Sequence, residues 1–111
     1  NRMLANPSSM DYFAVAGTIE DHANNSPLVV EKLSRLVDNI KYIIGIEMLH
    51  AAQAVDLRKE KELGQGTSQA HALIRKHITF LEKDRCLTTD IKAMYDLIQS
   101  GAFGSITGNR Q

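Results

Sequence analysis

The feature that most constrains the fold is a long helical repeat that begins at Ser26 and Pro27. Serine is a favoured residue just before a helix, and proline is favoured at the first helical position. Apolar residues then recur mostly at steps of three and four, the period of an α-helix. The recurring residues are Val29, Leu33, Leu36, Ile40, Ile43, Ile44, Met48, Ala51 and Val55. We therefore predict one helix over residues 27–59, on the order of 45 Å long at ~1.5 Å per residue.

The two halves of this predicted helix differ in polarity. The first half has a polar face made of Glu31, Lys32, Arg35, Asp38 and Lys41. The second half, residues 42–55, is apolar nearly all round, which predicts burial on every side. A chain of 111 residues can hardly surround such a helix, so we expect self-association or another part of the protein to complete its covering.

Glu47 lies within this apolar half and is therefore the residue most expected to be a buried charge. A buried carboxylate needs a partner, because an unpaired one is costly. A catalytic role is one interpretation. We favour the other, a structural anchor whose partner is Arg58 or a residue of another chain.

The remaining sequence predicts two shorter helices, over residues 68–83 and 90–99. A Gly-rich break at 64–67 separates the first of them from the long helix. Residues 1–26 are rich in turn-forming residues and predict an irregular arm, and residues 104–111 predict a frayed polar tail. The fold class is thus an all-α single domain, in which a long central helix packs with two shorter helices.

Charge and composition exclude several classes of protein. Thirteen basic and thirteen acidic residues cancel, whereas nucleic acids and anionic membranes require clustered positive charge. No apolar run approaches the roughly 20 residues that span a bilayer. Cys86 is the single cysteine, which suits a reducing, cytoplasmic compartment, and we expect it to be a small buried hydrophobe.

The four histidines do not predict a metal site. His71 and His77 are six residues apart, so on one helix they project to different faces. His22 and His50 are distant from both in sequence, and no recognisable metal-binding spacing results. His77 lies on the predicted apolar face of its helix, and we interpret it as a packed core histidine.

Glu20, Asp21 and His22 form the one constellation that resembles a chemical site. A carboxylate among uncharged neighbours can be desolvated, which suits it to acid–base chemistry or to binding a substrate ammonium group. The alternative is an exposed acidic turn whose side chains bond nearby backbone. Three residues do not separate these interpretations.

The surrounding segments resemble, in order, those of the histidine ammonia-lyases among the aromatic amino-acid lyases. Residues 6–11 are similar to that family's His-Pro-Ala-Ser-Val-Asp, and residues 17–22 to its Ala-Asn-Gln-Glu-Asp-His. Residues 46–58 resemble Ile-Glu-Trp-Leu-x-Ala-Cys-Gln-Gly-Leu-Asp-Leu-Arg, and residues 83–91 echo Arg-Asp-Arg-x4-Asp-Ile. The matches extend over residues 5–103 and correspond to the C-terminal portion of these enzymes.

The resemblance implies elimination of ammonia from an aromatic amino acid, with L-histidine giving urocanate as the first expectation. The family's electrophile is a methylidene-imidazolone made from an internal Ala-Ser-Gly, which these residues lack, so we expect this chain alone to be inactive. Glu20 matches an active-site residue near the substrate, and Asp21 and His22 match supporting positions. The resemblance also implies a homotetramer for the full-length protein and an amino-acid substrate.

Departures from the family pattern leave the substrate open. Ile19 stands where the family usually has Gln, and Met48 stands in place of Trp. An aminomutase, a tyrosine ammonia-lyase and a phenylalanine ammonia-lyase are alternatives within the same superfamily. A non-catalytic helical interaction module is the alternative from another class.

Overall fold

The computed structural model describes residues 1–8, 25–58 and 62–107, and these residues are helical without any strand. The helices are α1 (Ser26–Leu57), α2 (Gln65–His77), α3 (Thr88–Gln99) and the short α4 (Gly104–Thr107). The long helix packs against shorter ones, so the all-α prediction is confirmed. None of the described helices is long and apolar enough to cross a membrane.

The helix boundaries differ most from prediction at α2, which ends at His77 instead of residue 83. Ile78 is extended, with φ −132° and ψ 119°, and the chain stays non-helical until Thr88. The apolar residues that follow His77 therefore pack from an irregular segment. In the sequence they have the same spacing as the last turn of a helix, so the spacing alone does not show where α2 ends. The predicted frayed tail is also wrong over residues 104–107, which form α4, while residues 108–111 lie outside the described part.

Two compact units divide the chain, Asn1–Ile40 and Lys41–Gln111. In the first unit, residues 1–8 are turns and irregular chain, as predicted for the arm. The Asn25 side chain donates to the Ser8 carbonyl at 3.1 Å, and the Asn39 amide donates to Asn1 Oδ1 at 2.9 Å. Lys32 also donates to the Asn6 carbonyl, so side chains just before α1 and along it bind the first eight residues.

The second unit contains a small apolar core between the second half of α1, α2 and α3. Its buried members are Ala52, Ile74, Ile78 and Met94, of which Met94 is 0% exposed. At Gly45 a Cβ atom would lie 3.3 Å from the Met94 Cβ. Small residues on α1 therefore allow α3 to approach closely. The prediction of a single domain stays a prediction.

Several residues expected to be buried are exposed. Ile43, Ile44 and Ile46 are 49%, 42% and 36% exposed, so the second half of α1 is not covered on every side by this chain. Glu47 lies on that uncovered side and is exposed, so the prediction of a buried carboxylate is wrong.

The expectations for His77 and Cys86 are also wrong, because both residues are exposed. α2 ends at His77, and the next residue, Ile78, takes the buried position instead. Cys86 lies in the irregular segment before α3, where its thiol contacts a threonine hydroxyl and not the core.

Candidate functional site

The predicted catalytic Glu20 and its supporting Asp21 and His22 lie outside the described residues. Their roles therefore stay predictions. Among the described residues, no group of three or more His, Cys, Asp or Glu side chains is arranged to hold a metal ion.

The described residues form a cleft in the second unit, beside the C-terminal half of α1. Its cavity volume is about 80 Å³, and its walls come from α1, α2, α3 and the irregular segment between α2 and α3. The apolar wall residues are Ile46, Leu49, Ile78, Leu81, Leu87 and Ile91. Polar side chains also line the cleft, and most of them bond to one another or to the backbone of the irregular segment.

Gln53 on α1 forms the first of these polar clamps. Its Nε2 donates to the Leu81 carbonyl at 3.0 Å, and its Oε1 accepts from the Leu81 amide at 3.1 Å. The side-chain amide thus satisfies both backbone groups of Leu81, which lie in a partly buried segment without a strand partner. This pairing fixes the irregular segment against α1.

Asp56, one turn further along α1, forms the second clamp with α2. The Arg75 Nε donates to Asp56 Oδ2 at 2.6 Å, and the His71 Nε2 lies 2.9 Å from Asp56 Oδ1. Arg75 also donates to the Ile78 carbonyl at 3.2 Å and to Gln53 Oε1 at 3.4 Å. One guanidinium therefore joins both clamps to the end of α2.

Electrostatics favour the ionised form of Asp56. Desolvation by burial raises the pKa of this carboxyl. The Arg75 hydrogen bond and the charges of Arg75 and His71 lower it by more, so the net pKa lies below its ordinary value. The carboxylate is partly buried and fully engaged by its two partners. This arrangement stabilises the junction between α1 and α2 and engages both oxygens of the Asp56 carboxylate.

Arg85 closes the far end of the irregular segment. It pairs with Asp90 at 2.8 Å and donates to the Thr79 and Phe80 carbonyls at 3.2 and 3.4 Å. Beside it, a hydrogen bond with the Thr88 hydroxyl lowers the pKa of the exposed Cys86 thiol. These contacts tie the start of α3 to both ends of the irregular segment.

The sequence interpretation missed both clamps, although Gln53 and Asp56 lie within the segment 46–58 that resembles the family. Gln53 and Asp56 are polar residues in or beside an otherwise apolar stretch of helix. Such residues require internal partners when they are partly buried. The signal was therefore present, but their partners on α2 and in the irregular segment follow only from the fold.

In the part of the chain that the structure describes, a long helix packs against shorter ones, and the polar clamps of Gln53 and Asp56 hold them together. The sequence matches the aromatic amino acid lyase family over residues 1–76. The chain belongs to this family, which confirms the resemblance recognised in its motifs.

Individual relatives cover nearly the whole chain. The chain is 39% identical over 100 residues to a histidine ammonia-lyase of Treponema denticola, and the match spans 90% of this chain. It is 37% identical over 102 residues to a histidine ammonia-lyase of Sorangium cellulosum, across 92% of this chain. In both cases the match covers 20% of the relative, so the chain spans about a fifth of the length of these proteins.

Two crystal structures share its fold. One is ergothionase, an ergothioneine degrading enzyme of Treponema denticola, in complex with desmethyl-ergothioneine sulfonic acid. It superposes with a TM-score of 0.85 at 55% identity, over 92% of this chain and 20% of that one. The other is a histidine ammonia-lyase of Trypanosoma cruzi, with a TM-score of 0.87 at 28% identity, over 95% of this chain and 21% of that one.

Proposed function

We propose that this chain is the C-terminal part of a lyase that eliminates the α-amine from an amino acid bearing an imidazole ring. The observation that carries the proposal is the breadth of the similarity: relatives named for histidine or ergothioneine match 90% and 92% of the chain. In such an elimination a base removes a proton from the β-carbon. The resulting electron pair forms the Cα–Cβ double bond, and the amine leaves with the electrons of the Cα–N bond.

L-Histidine, which would give urocanate and ammonia, is the substrate expected from the motifs. Ergothioneine is the second candidate, because identity to ergothionase is 55% against 39% to the Treponema histidine ammonia-lyase. Ergothioneine also carries an imidazole-type ring on the β-carbon, but its amine is trimethylated and its ring bears sulfur at C2. The two substrates would release ammonia and trimethylamine respectively, so the released amine distinguishes them.

Glu20 is the residue we assign to the substrate, with Asp21 and His22 in support. A carboxylate at this position can attract the cationic amine or bind a ring nitrogen. The assignment rests on the match of residues 17–22 to the family's Ala-Asn-Gln-Glu-Asp-His. The clamps of Gln53 and Asp56 would serve this function only indirectly, by holding the helical scaffold together.

The electrophile belongs to another part of the same protein in this proposal. No Ala-Ser-Gly occurs among the 111 residues, so these residues cannot form a methylidene-imidazolone and the chain alone is expected to be inactive. The complete enzyme would be a homotetramer, as the resemblance to the ammonia-lyases implies, and cytoplasmic, as its single cysteine suggests. The apolar side of α1 that this chain leaves uncovered would be covered by the rest of the protein or by another subunit.

The test starts with the gene that contains this sequence. The reading frame upstream of Asn1 is sequenced and searched for three consecutive codons that encode Ala-Ser-Gly. The complete protein is then incubated with L-histidine or ergothioneine, and ammonia and trimethylamine are measured separately. A Glu20→Gln variant is expected to lose about 10²- to 10⁴-fold in kcat/KM. A Glu31→Gln variant, which changes an exposed carboxylate of α1, is the matched control and is expected to retain activity.

Other outcomes point to the alternatives. A β-amino acid product without release of amine would indicate an aminomutase, and release from phenylalanine or tyrosine would replace the imidazole substrate. A complete protein that releases no amine from any of these substrates would overturn the lyase proposal and favour the helical interaction module.

A further inference from the structure

Residues 1–8 lie along α1 within the first unit and run in the opposite direction to it. Three side-chain hydrogen bonds hold them there. In order along the chain, these bonds join Asn25 to the Ser8 carbonyl at 3.1 Å, Lys32 to the Asn6 carbonyl, and Asn39 to Asn1 Oδ1 at 2.9 Å. The first eight residues therefore reach the start of α1 at Ser8.

The last of these contacts along the arm, between Ser8 and Asn25, is the most enclosed. Ser8 is buried, at 9% exposure, whereas residues 5–7 are exposed. Asn25 has φ 49°, in the left-handed region that asparagine tolerates better than most residues. Its carbonyl accepts from the Val29 amide at 3.0 Å. One residue thus begins the hydrogen bonding of α1 and binds the end of the arm.

The Ser8–Asn25 bond joins the two ends of the segment that carries Glu20. This segment, residues 9–24, has 16 residues and lies outside the described part of the chain. A free chain of that length separates its ends by about 20–24 Å, whereas here both flanking residues meet at the start of α1. Glu20 precedes Asn25 by five positions, so its Cα lies within about 18 Å of this junction at any extension of the chain.

We propose that Asn25 is a positioning residue for Glu20. By joining the ends of the segment, the Asn25 amide raises the fraction of molecules in which the Glu20 carboxylate meets the substrate. The inference rests on the proposed lyase function and on the role assigned to Glu20 there. A hydrogen bond of this kind changes an equilibrium about three- to tenfold, so its loss should lower the competent fraction by that factor.

The first experiment is a double-mutant cycle in the complete protein, with amine release as the readout. Asn25→Gly keeps a residue that adopts positive φ and removes the side-chain donor, so kcat/KM should fall about three- to tenfold. In a Glu20→Gln background the same change should cost less than about twofold, because Asn25 acts only through Glu20. Asn39→Ala, which removes the contact at the far end of the arm, is the matched control and should leave kcat/KM unchanged.

A second variant keeps the size of the side chain. Asn25→Asp also tolerates positive φ, and its negative charge is favourable at the start of a helix, but its carboxylate cannot donate to the Ser8 carbonyl. It should therefore reproduce the loss in kcat/KM without lowering the thermal unfolding midpoint. A loss that appeared in Asn25→Gly alone would assign the effect to the backbone and overturn the role of the amide.

The second experiment tests the junction without any substrate. Amide hydrogen exchange of the complete protein is followed by mass spectrometry. Residues 9–24 should exchange about three- to tenfold faster in Asn25→Gly than in the unmodified protein, whereas Asn39→Ala should leave their exchange unchanged. Equal exchange of this segment in all three proteins would overturn the junction.

The outcomes separate this inference from the lyase proposal. An Asn25→Gly variant with full kcat/KM, in a protein that Glu20→Gln inactivates, would overturn the positioning role and leave the lyase function intact. Equal losses in both backgrounds of the cycle would overturn it as well, since Asn25 would then act independently of Glu20. A complete protein that releases no amine would overturn the lyase function and with it any role of Asn25 in catalysis, whatever the exchange experiment shows about the junction.

Discussion

The two faces of α1 over residues 41–57 are both apolar in sequence, yet only one is covered within the chain. The covered face presents small residues, Gly45 and Ala52, to the core around Met94. The uncovered face presents large residues such as Ile43 and Ile44. The two buried residues of this stretch are thus both small, but Ala51 and Ala54 are exposed and Met48 and Leu49 pack against the core. Residue type alone therefore does not distinguish the faces; what distinguishes them is which side the other helices of the chain approach.

The largest expected effect comes from truncating the side chain at the centre of the covered face. Met94→Ala removes a fully buried side chain and should lower the free energy of unfolding by about 2–5 kcal/mol, because it leaves a cavity. Urea denaturation followed by circular dichroism measures this loss. Ile43→Ala on the uncovered face is the matched control, and it should change stability by less than about 0.5 kcal/mol at concentrations where the chain is monomeric.

Equal losses of unfolding free energy for the two variants would contradict the difference between the covered and the uncovered face. They would mean that both faces of α1 are packed in the isolated chain. A larger loss for Ile43→Ala at high concentration would instead show that the uncovered face contributes to stability through association.

The clamps give the second-largest expected effect. Gln53→Ala leaves the amide and carbonyl of Leu81 without the partners they have in the structure. Unsatisfied polar groups in a partly buried segment should lower the free energy of unfolding by about 1–3 kcal/mol. Gln69→Ala on the exposed side of α2 is the control, and a loss as large there would show that the Gln53 contacts contribute nothing specific.

The periodicity of the sequence sufficed to predict the long helix, the third helix and the all-α class. It was not sufficient at the end of α2, where Ile78 and Leu81 continue a helical spacing while the chain is extended. There the irregular backbone is held by Gln53 from α1, a contact between residues 28 positions apart. Local propensity carries no information about such a partner.

The candidate site shows the same division between what the sequence predicts and what depends on the fold. Glu20 stood out in an acidic-acidic-His constellation that did not by itself separate a site from an exposed turn. Its assignment came from the resemblance to the family segment, and its role stays a prediction. Glu47 and His77 were expected to be buried because of apolar neighbours in sequence. Their exposure depends instead on which side of the helix the rest of this chain covers and on where α2 ends.

A substitution at the close approach of Gly45 should change the free energy of unfolding by less than Met94→Ala or Gln53→Ala. Gly45→Ala gains about 0.8–1.0 kcal/mol of helix propensity, but its Cβ would lie 3.3 Å from the Met94 Cβ, so α3 must shift slightly. We expect these effects to offset one another to within about 1 kcal/mol. Gly45→Leu, which cannot be accommodated by a small shift, should destabilise the chain by about 1–3 kcal/mol, and a stabilising Gly45→Leu would contradict the close packing of this face.

The pH dependence of stability tests the Asp56 clamp and is the smallest expected effect. Burial raises the pKa of Asp56, but Arg75 and His71 outweigh burial and hold it below the ordinary 3.8. Folding therefore favours the carboxylate. This contribution is fully present above about pH 5 and is lost as the pH falls through the lowered pKa of the folded state.

The free energy of unfolding should thus fall more steeply below about pH 5 for the unmodified chain than for Asp56→Asn. Asp84→Asn, at an exposed aspartate, should keep the slope of the unmodified chain, and an equal slope for Asp56→Asn would mean that the clamp does not stabilise the folded state through its charge.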